Sequence, residues 1–195
     1  MKKIILASSS PRRRELLAGM DIPYEVCPAD IDETYPPDMN VLDVSPFIAE
    51  KKVMAVSKKL SKLDESCIIL GADTTVCIGN VILGKPSDRN EAVEFIRQIQ
   101  GKMHQTVSGI AVFNCANEKD SVRKSVSKVF FRSMTEDEIE WYVNTEEWKG
   151  AAGGYRIQGK ASFFIEKIEG SYSSIMGLPL FELYDILRTQ NYSFC

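Results

Sequence analysis

One stretch near the start constrains the fold more than any other. It reads Ile4-Ile5-Leu6-Ala7-Ser8-Ser9-Ser10-Pro11-Arg12-Arg13-Arg14-Glu15-Leu16-Leu17. The short apolar run reads as a buried strand. Pro11 suits the first position of a helix, and Ser10 is the natural N-cap. The chain therefore turns from strand to helix at a corner that carries three serines, which fits an α/β fold. Three arginines then occupy the first turn of that helix, where the helix dipole disfavours cations by roughly 0.3–1 kcal/mol each. An anion docked on the free N–H groups, the serine hydroxyls and the guanidinium forks would remove the conflict. A basic, solvated helix start is the alternative.

The 195 residues suffice for one sizeable α/β domain or two small lobes. A net charge of −3 gives no global field for nucleic acid, so an anionic ligand needs a local basic cluster. No apolar run approaches the roughly 18 residues of a membrane span, and the N-terminus does not read as a signal peptide. Five cysteines, with no C-x-x-C pair, read as reduced thiols in the cytoplasm. With His104 the only histidine, a metal would be held by carboxylates, which favours Mg²⁺ or Mn²⁺.

Further along, Asp21 to Val26 reads as a turn into a strand, and Asp30 to Pro37 as an acidic loop closed by prolines. A helix is expected from Ser45-Pro46 to about Leu60, with Ala49, Val53, Val56 and Leu60 inward. Lys52 flanks that stripe, where it can snorkel or reach into a cleft. Lys51 points away with Lys58. Cys67 to Leu70 reads as a buried strand ending in Gly71-Ala72-Asp73-Thr74-Thr75. A carboxylate at a strand's C-terminal end is where open α/β sheets place ligand chemistry, although an Asx turn is an alternative for Asp73. Val76 to Leu83 reads as a hairpin turning at Gly79-Asn80. Gly79 to Lys85 fits the G-x-x-x-x-G-K spacing of a phosphate loop, but Pro86 replaces the required Ser/Thr. Lys85 can still meet phosphate as a point charge.

Ser87 is expected to cap a helix running to about Gln100, before an antiparallel ribbon formed by Thr106 to Phe113 and Val122 to Phe131. His104 reads as structural. Thr135-x-x-Glu138 is a capping box. A Gly/Ala loop at 150–154 precedes Arg156-Ile157-Gln158, a strand is expected over Phe163 to Ile168, and a last helix ends near Thr189.

Taken in order, these segments resemble the Maf family of nucleoside triphosphate pyrophosphatases. The matching residues are Leu6-Ala7-Ser8-x-Ser10-Pro11-Arg12-Arg13, Glu33, Lys52, Gly71-Ala72-Asp73-Thr74, Gly84-Lys85-Pro86, His104 and Ser108-Gly109. They continue as Trp148-x-x-x-Ala152-Gly153-Gly154-Tyr155, Ile157-Gln158-Gly159, Gly170-Ser171 and Gly177-Leu178-Pro179. Each motif is weak alone, and the ordered set is specific. Lys160-Ala161 and Thr106 depart from the commoner pattern.

The resemblance implies a single domain over residues 1–195 and a mixed, bent sheet with flanking helices. These form two lobes around a central cleft, similar to inosine triphosphate pyrophosphatases. It also implies a homodimer and a divalent metal, with hydrolysis to a nucleoside monophosphate and pyrophosphate. Asp73 takes the place of the family's proton acceptor, and Glu33 with Asp73 that of its metal ligands. Lys52 and Lys85 join them as catalytic cations. Ser8, Arg12, Arg13, Thr74 and Gln158 are the implied substrate contacts. Arg12, Thr74 and Gln158 follow the family branch that resembles dTTP/UTP enzymes rather than the 7-methyl-GTP branch. A non-enzymatic nucleotide-binding protein is the competing class, and a pure binder has no need of a base.

Overall fold

The computed structural model describes residues 2–60 and 67–194. Cys195, the last of the five cysteines, lies outside them. A seven-stranded mixed sheet runs in the order β2-β1-β3-β5-β6-β7, with β4 paired to β3. The apolar run at the start is β1 (Lys3–Leu6), and Pro11–Ala18 is α1. β1 lies parallel to β2 (Tyr24–Val26) on one side and to the start of β3 (Cys67–Ile78) on the other. β3 then pairs antiparallel with β5 (Met103–Asn114), which pairs with β6 (Lys119–Phe131), which pairs with β7 (Ile165–Glu169). Among the described residues no helix is long and apolar enough to cross a membrane.

The ladder along β3 explains where a cleft forms. One edge is paired with β5 without a break from Ile68 to Cys77. The other edge is taken by β1 only over Cys67–Leu70, and by β4 (Val81–Leu83) only over Val76–Ile78. Gly71 to Thr75 therefore face a gap between two neighbouring strands. This corrects the expectation that β3 ends near Gly71. The strand continues as one element up to the hairpin turn at Gly79-Asn80, so Asp73 lies mid-strand at the gap. Glycine normally weakens a strand interior. Here a Cβ on Gly71 would come within 2.6 Å of the Ala49 carbonyl oxygen, so its absence lets α2 (Val41–Lys59) pack close to the sheet.

Helix α2 starts one turn earlier than expected. Asn40 caps it, accepting from the Leu42 N–H at 2.9 Å. The Ser45-Pro46 pair that reads as a helix start is inside the helix. The Ser45 hydroxyl is buried and donates to the Val107 carbonyl of β5 instead of capping. Pro46 packs over Gly109, where any Cβ would overlap the helix backbone.

The other helices differ by small steps. α3 spans Arg89–Ile99 and is capped by Asp88 rather than Ser87, whose N–H and hydroxyl both donate to Glu91. α4 (Glu136–Asn144) has the expected capping box. The strand expected from Phe163 starts at Ile165. Lys160–Phe164 form a 3₁₀ turn, held where the Lys160 N–H donates to Glu147 and the Arg132 N–H to the Phe164 carbonyl. α5 (Tyr172–Met176) was not expected, and α6 (Leu180–Thr189) was.

Three apolar clusters divide the interior. Alternation along β3 sends Ile69 to the α2 side, with Ala49 and Val53, and Leu70 and Ala72 to the α6 side. A third cluster, built from Val76, Leu83, α3, α4 and Tyr155, fills the far end beneath the antiparallel strands. The cleft opens between this third cluster and the other two.

Candidate active site

A cleft of about 540 Å³ opens at the gap in the sheet, and every candidate site residue named above lines it. The centre is Lys52. Its Nζ donates to Asp73 Oδ1 at 2.7 Å and pairs with Glu33 Oε1 at 2.7 Å. The lysine side chain is 8% exposed, Asp73 13% and Glu33 48%. The register places Asp73 opposite Gly109 on β5, on the face that α2 covers. Lys52 lies on α2 between Ala49 and Val53, which pack on Gly71, and its side chain reaches Asp73. Burial opposes ionisation of Glu33, but the Lys52 hydrogen bond and charge, with Lys85 and Arg13, hold its carboxyl below its ordinary value.

The facing wall is cationic. Arg13 is buried, and its Nε donates to the Gly177 carbonyl at 2.8 Å while Nη1 donates to Ser8 Oγ at 2.9 Å. Ser8 Oγ also accepts from the Ser10 N–H at 3.2 Å. The loop before α1 is thus pinned by Ser8. Ser10 sits at the N-cap position, but its hydroxyl makes no cap bond, contrary to expectation. Arg12 Nη2 donates to the Gly150 carbonyl, and Arg156 Nη2 to the Lys149 carbonyl. Burial first, then the charges of Arg156 and Arg13, hold the Arg12 guanidinium below its ordinary value. Among the described residues none of these three arginines makes an ion pair with a carboxylate. Asp73 and Glu33 act on Arg13 only from beyond ion-pair distance, so an anion docked against the guanidiniums would offset their mutual repulsion.

A profile described as Maf-like protein matches residues 3–190. The chain belongs to the Maf-like protein family. A dTTP/UTP pyrophosphatase of Alkaliphilus oremlandii (strain OhILAs) is 44% identical over 188 residues, covering 96% of this chain and 96% of the relative. A dTTP/UTP pyrophosphatase of Pelotomaculum thermopropionicum is 42% identical over 193 residues, covering 99% of each. Among solved structures the Staphylococcus aureus Ham1 protein aligns with a TM-score of 0.48 at 16% identity, over 67% of this chain and 72% of that one.

The Maf-like motifs converge on the cleft from five elements. The corner between β1 and α1 brings Ser8 from the loop and Arg12 and Arg13 from the first helical turn, and the β2–α2 loop brings Glu33. α2 brings Lys52, β3 brings Asp73 and Thr74, and the segment after β4 brings Lys85. Asp73 and Thr74 point to opposite faces of β3. Thr74 Oγ1 is 2.7 Å from Ser108 Oγ, which in turn donates to the Ser174 carbonyl at 2.7 Å. Gln158 is exposed at the rim, and its amide has no hydrogen-bond partner among the described residues.

His104 is structural, as expected. It is buried, its Nε2 lies 2.8 Å from the Tyr155 hydroxyl, and burial pushes its pKa down to about 4. Two basic groups were missed. Arg156 stood in the sequence beside Gln158, and nothing local marked it as part of the cationic wall. Lys51 points away from the apolar stripe, as the helical wheel has it, but the sequence gives it no part in the site. In the structure its Nζ donates to the carbonyls of Asp32 at 2.8 Å and Thr34 at 2.9 Å.

Proposed function

We propose that this chain hydrolyses dTTP and UTP to the nucleoside monophosphate and pyrophosphate. One observation carries the reading: a lysine-bridged pair of carboxylates faces three guanidiniums that, among the described residues, make no direct ion pair with a carboxylate, in one cleft. A polyphosphate supplies the anion that the arginines lack. Arg12, Arg13, Arg156 and Lys85 neutralise its charge, which is most of what catalysis of phosphoryl transfer requires. Ser8 orients Arg13. Asp73 accepts a proton from the water that attacks the α-phosphorus; the bond from that phosphorus to the α–β bridging oxygen breaks, and pyrophosphate leaves with that oxygen.

Glu33 and Asp73 fit a divalent ion. Their oxygens already share one cation, the Lys52 ammonium. Among the described residues no group of three or more His, Cys, Asp or Glu could hold a metal, so phosphate oxygens and water would complete its shell. Such a shell is the habit of Mg²⁺ and Mn²⁺. When bound, the ion neutralises phosphate charge and lowers the pKa of its water. The remaining steps belong to the side chains.

The base is read by Gln158. Uracil and thymine present a carbonyl beside an N–H, and one amide answers both. Glutamate would set an acceptor against the carbonyl. The homodimer and the cytoplasmic setting implied by the family complete the reading.

The test is kcat/KM for dTTP, UTP, GTP and 7-methyl-GTP in wild type and Gln158→Glu, with and without chelator. We expect dTTP and UTP to lead, the variant to lose that lead, and chelator to stop turnover. No pyrophosphate release from any of the four would refute hydrolysis and favour a nucleotide-binding protein. A lead for 7-methyl-GTP would refute the base assignment alone.

A further inference from the structure

The loop that carries Glu33 packs on the core through Ala29 but makes few polar contacts with the rest of the fold. Between Val26, the end of β2, and Asn40, the cap of α2, the chain has no helix or strand. Glu33 is nevertheless delivered to the same ammonium as Asp73, which sits on the rigid centre of the sheet. Among the described residues, positions 28–35 are tied to the rest of the fold by hydrogen bonds and ion pairs from two side chains only. Lys52 takes the Glu33 carboxylate, and Lys51 takes the backbone carbonyls immediately before and after it.

These two lysines are adjacent on α2, about 100° apart around the axis. Lys52 turns toward the sheet, and Lys51 turns toward the loop with its ammonium 5.5 Å from the Phe47 ring centre. The segment is also fixed internally. Asp32 accepts from the Thr34 N–H at 3.0 Å and from the Thr34 hydroxyl at 2.9 Å, an Asx turn that spans Glu33. Lys51 therefore grips a preformed turn at both ends, and Glu33 projects from its middle. Two charge-assisted bonds to neighbouring carbonyls define an orientation as well as a distance.

We propose that Lys51 is a positioning residue for the hydrolysis read above, holding the turn so that Glu33 reaches the cation shared with Asp73. It touches neither nucleotide nor reacting atoms and acts only through Glu33. Without it, Lys52 must hold both the loop and the carboxylate pair, and Glu33 samples positions away from the site. A displacement of about 1 Å at such a site costs up to roughly 100-fold.

The test uses Lys51→Met, which keeps the stem over Phe47 but removes the donors, Lys51→Arg, which keeps donors, and Lys58→Met as a control on the same helix. We expect Lys51→Met to lower kcat for dTTP about ten-fold or more with KM nearly unchanged. Lys51→Arg should recover most of the loss, and Lys58→Met should match wild type. In a Glu33→Gln background Lys51→Met should cost nothing further, because its route is already cut. Hydrogen exchange over residues 31–35 should quicken in Lys51→Met. Wild-type kcat in Lys51→Met, or an equal loss in the Glu33→Gln background, would overturn the role. If wild type hydrolyses no nucleotide, the hydrolytic reading fails. Exchange then decides the clamp by itself: faster exchange supports it and unchanged exchange overturns it.

Discussion

Replacing Lys52 by methionine tests the centre of the site. The substitution keeps the length of the side chain and removes only the ammonium. Two carboxylates then face each other across the space it filled. Glu33 is 48% exposed, so solvent screens its pair and its share is at most about 1 kcal/mol. The Asp73 pair is largely out of water, and removing one partner of a fully buried pair costs about 3–5 kcal/mol. Arg13 lies near enough to offset part of that. We expect a loss of about 3 kcal/mol in urea unfolding at pH 7. The sign with pH follows from Glu33, whose folded carboxyl lies below its ordinary value of 4.5. A depressed carboxyl contributes stability above that value and loses it as pH falls through the folded pKa. In Lys52→Met the main depressing influences are gone, and the variant takes up protons at higher pH than wild type. The stability gap should therefore narrow from pH 7 to pH 4. A gap equal at both pH values would refute the electrostatic account. Turnover of dTTP should fall at least about 100-fold in the same variant.

Asp73→Asn should fold as wild type and lose about 10²–10⁴ in kcat, measured by pyrophosphate release; normal turnover would remove the proton-acceptor role. His104 has a pKa near 4 folded against 6.5 unfolded, so its contribution to stability is complete above pH 6.5 and is lost as pH falls toward 4. That loss is on the order of 3 kcal/mol at about 1.4 per pH unit, and urea midpoints of His104→Gln should show a correspondingly flatter pH profile. Gly109→Ala should cost about 3 kcal/mol, because the new methyl overlaps the backbone of Ser45 and Pro46 and α2 must lift off the sheet. Wild-type stability in that variant would mean that the helix is not seated on the strand.

What the sequence made legible was local chemistry. Ile4 to Leu17 announced a strand entering a helix, Gly79-Asn80 a tight turn, and Thr135 with Glu138 a capping box, and all three stand. Each is decided within a few residues. The misreadings share a different cause. Ser45-Pro46 is a strong local helix-start signal, but the Ser45 hydroxyl is claimed by Val107, 62 positions away in sequence. Gly71 looks like the end of a strand until α2 is seen pressing against it. Lys51 and Lys52 could be separated by the helical wheel. Only the packed structure shows that the face turned away from the sheet meets the Glu33 loop.

The two strand glycines connect fold and chemistry. Gly71 and Gly109 lie on one face of the sheet, with Asp73 directly opposite Gly109 in the register. Any side chain at either position would meet α2 backbone: Ala49 and Val53 at Gly71, Ser45 and Pro46 at Gly109. Glycine in a strand costs about 0.5–1 kcal/mol relative to alanine. Here that cost permits a helix-to-sheet approach closer than side chains would allow. The approach has a consequence on the same stretch of helix, between Ala49 and Val53. Lys52 enters beside Asp73, and its ammonium lies at hydrogen-bond distance. Lys51, fixed by the same seating, is set against the turn that bears Glu33. The close contact at two glycines thus places one carboxylate directly and the second through a loop. A helix seated further out would leave both lysines reaching into solvent, and the carboxylates without a common cation.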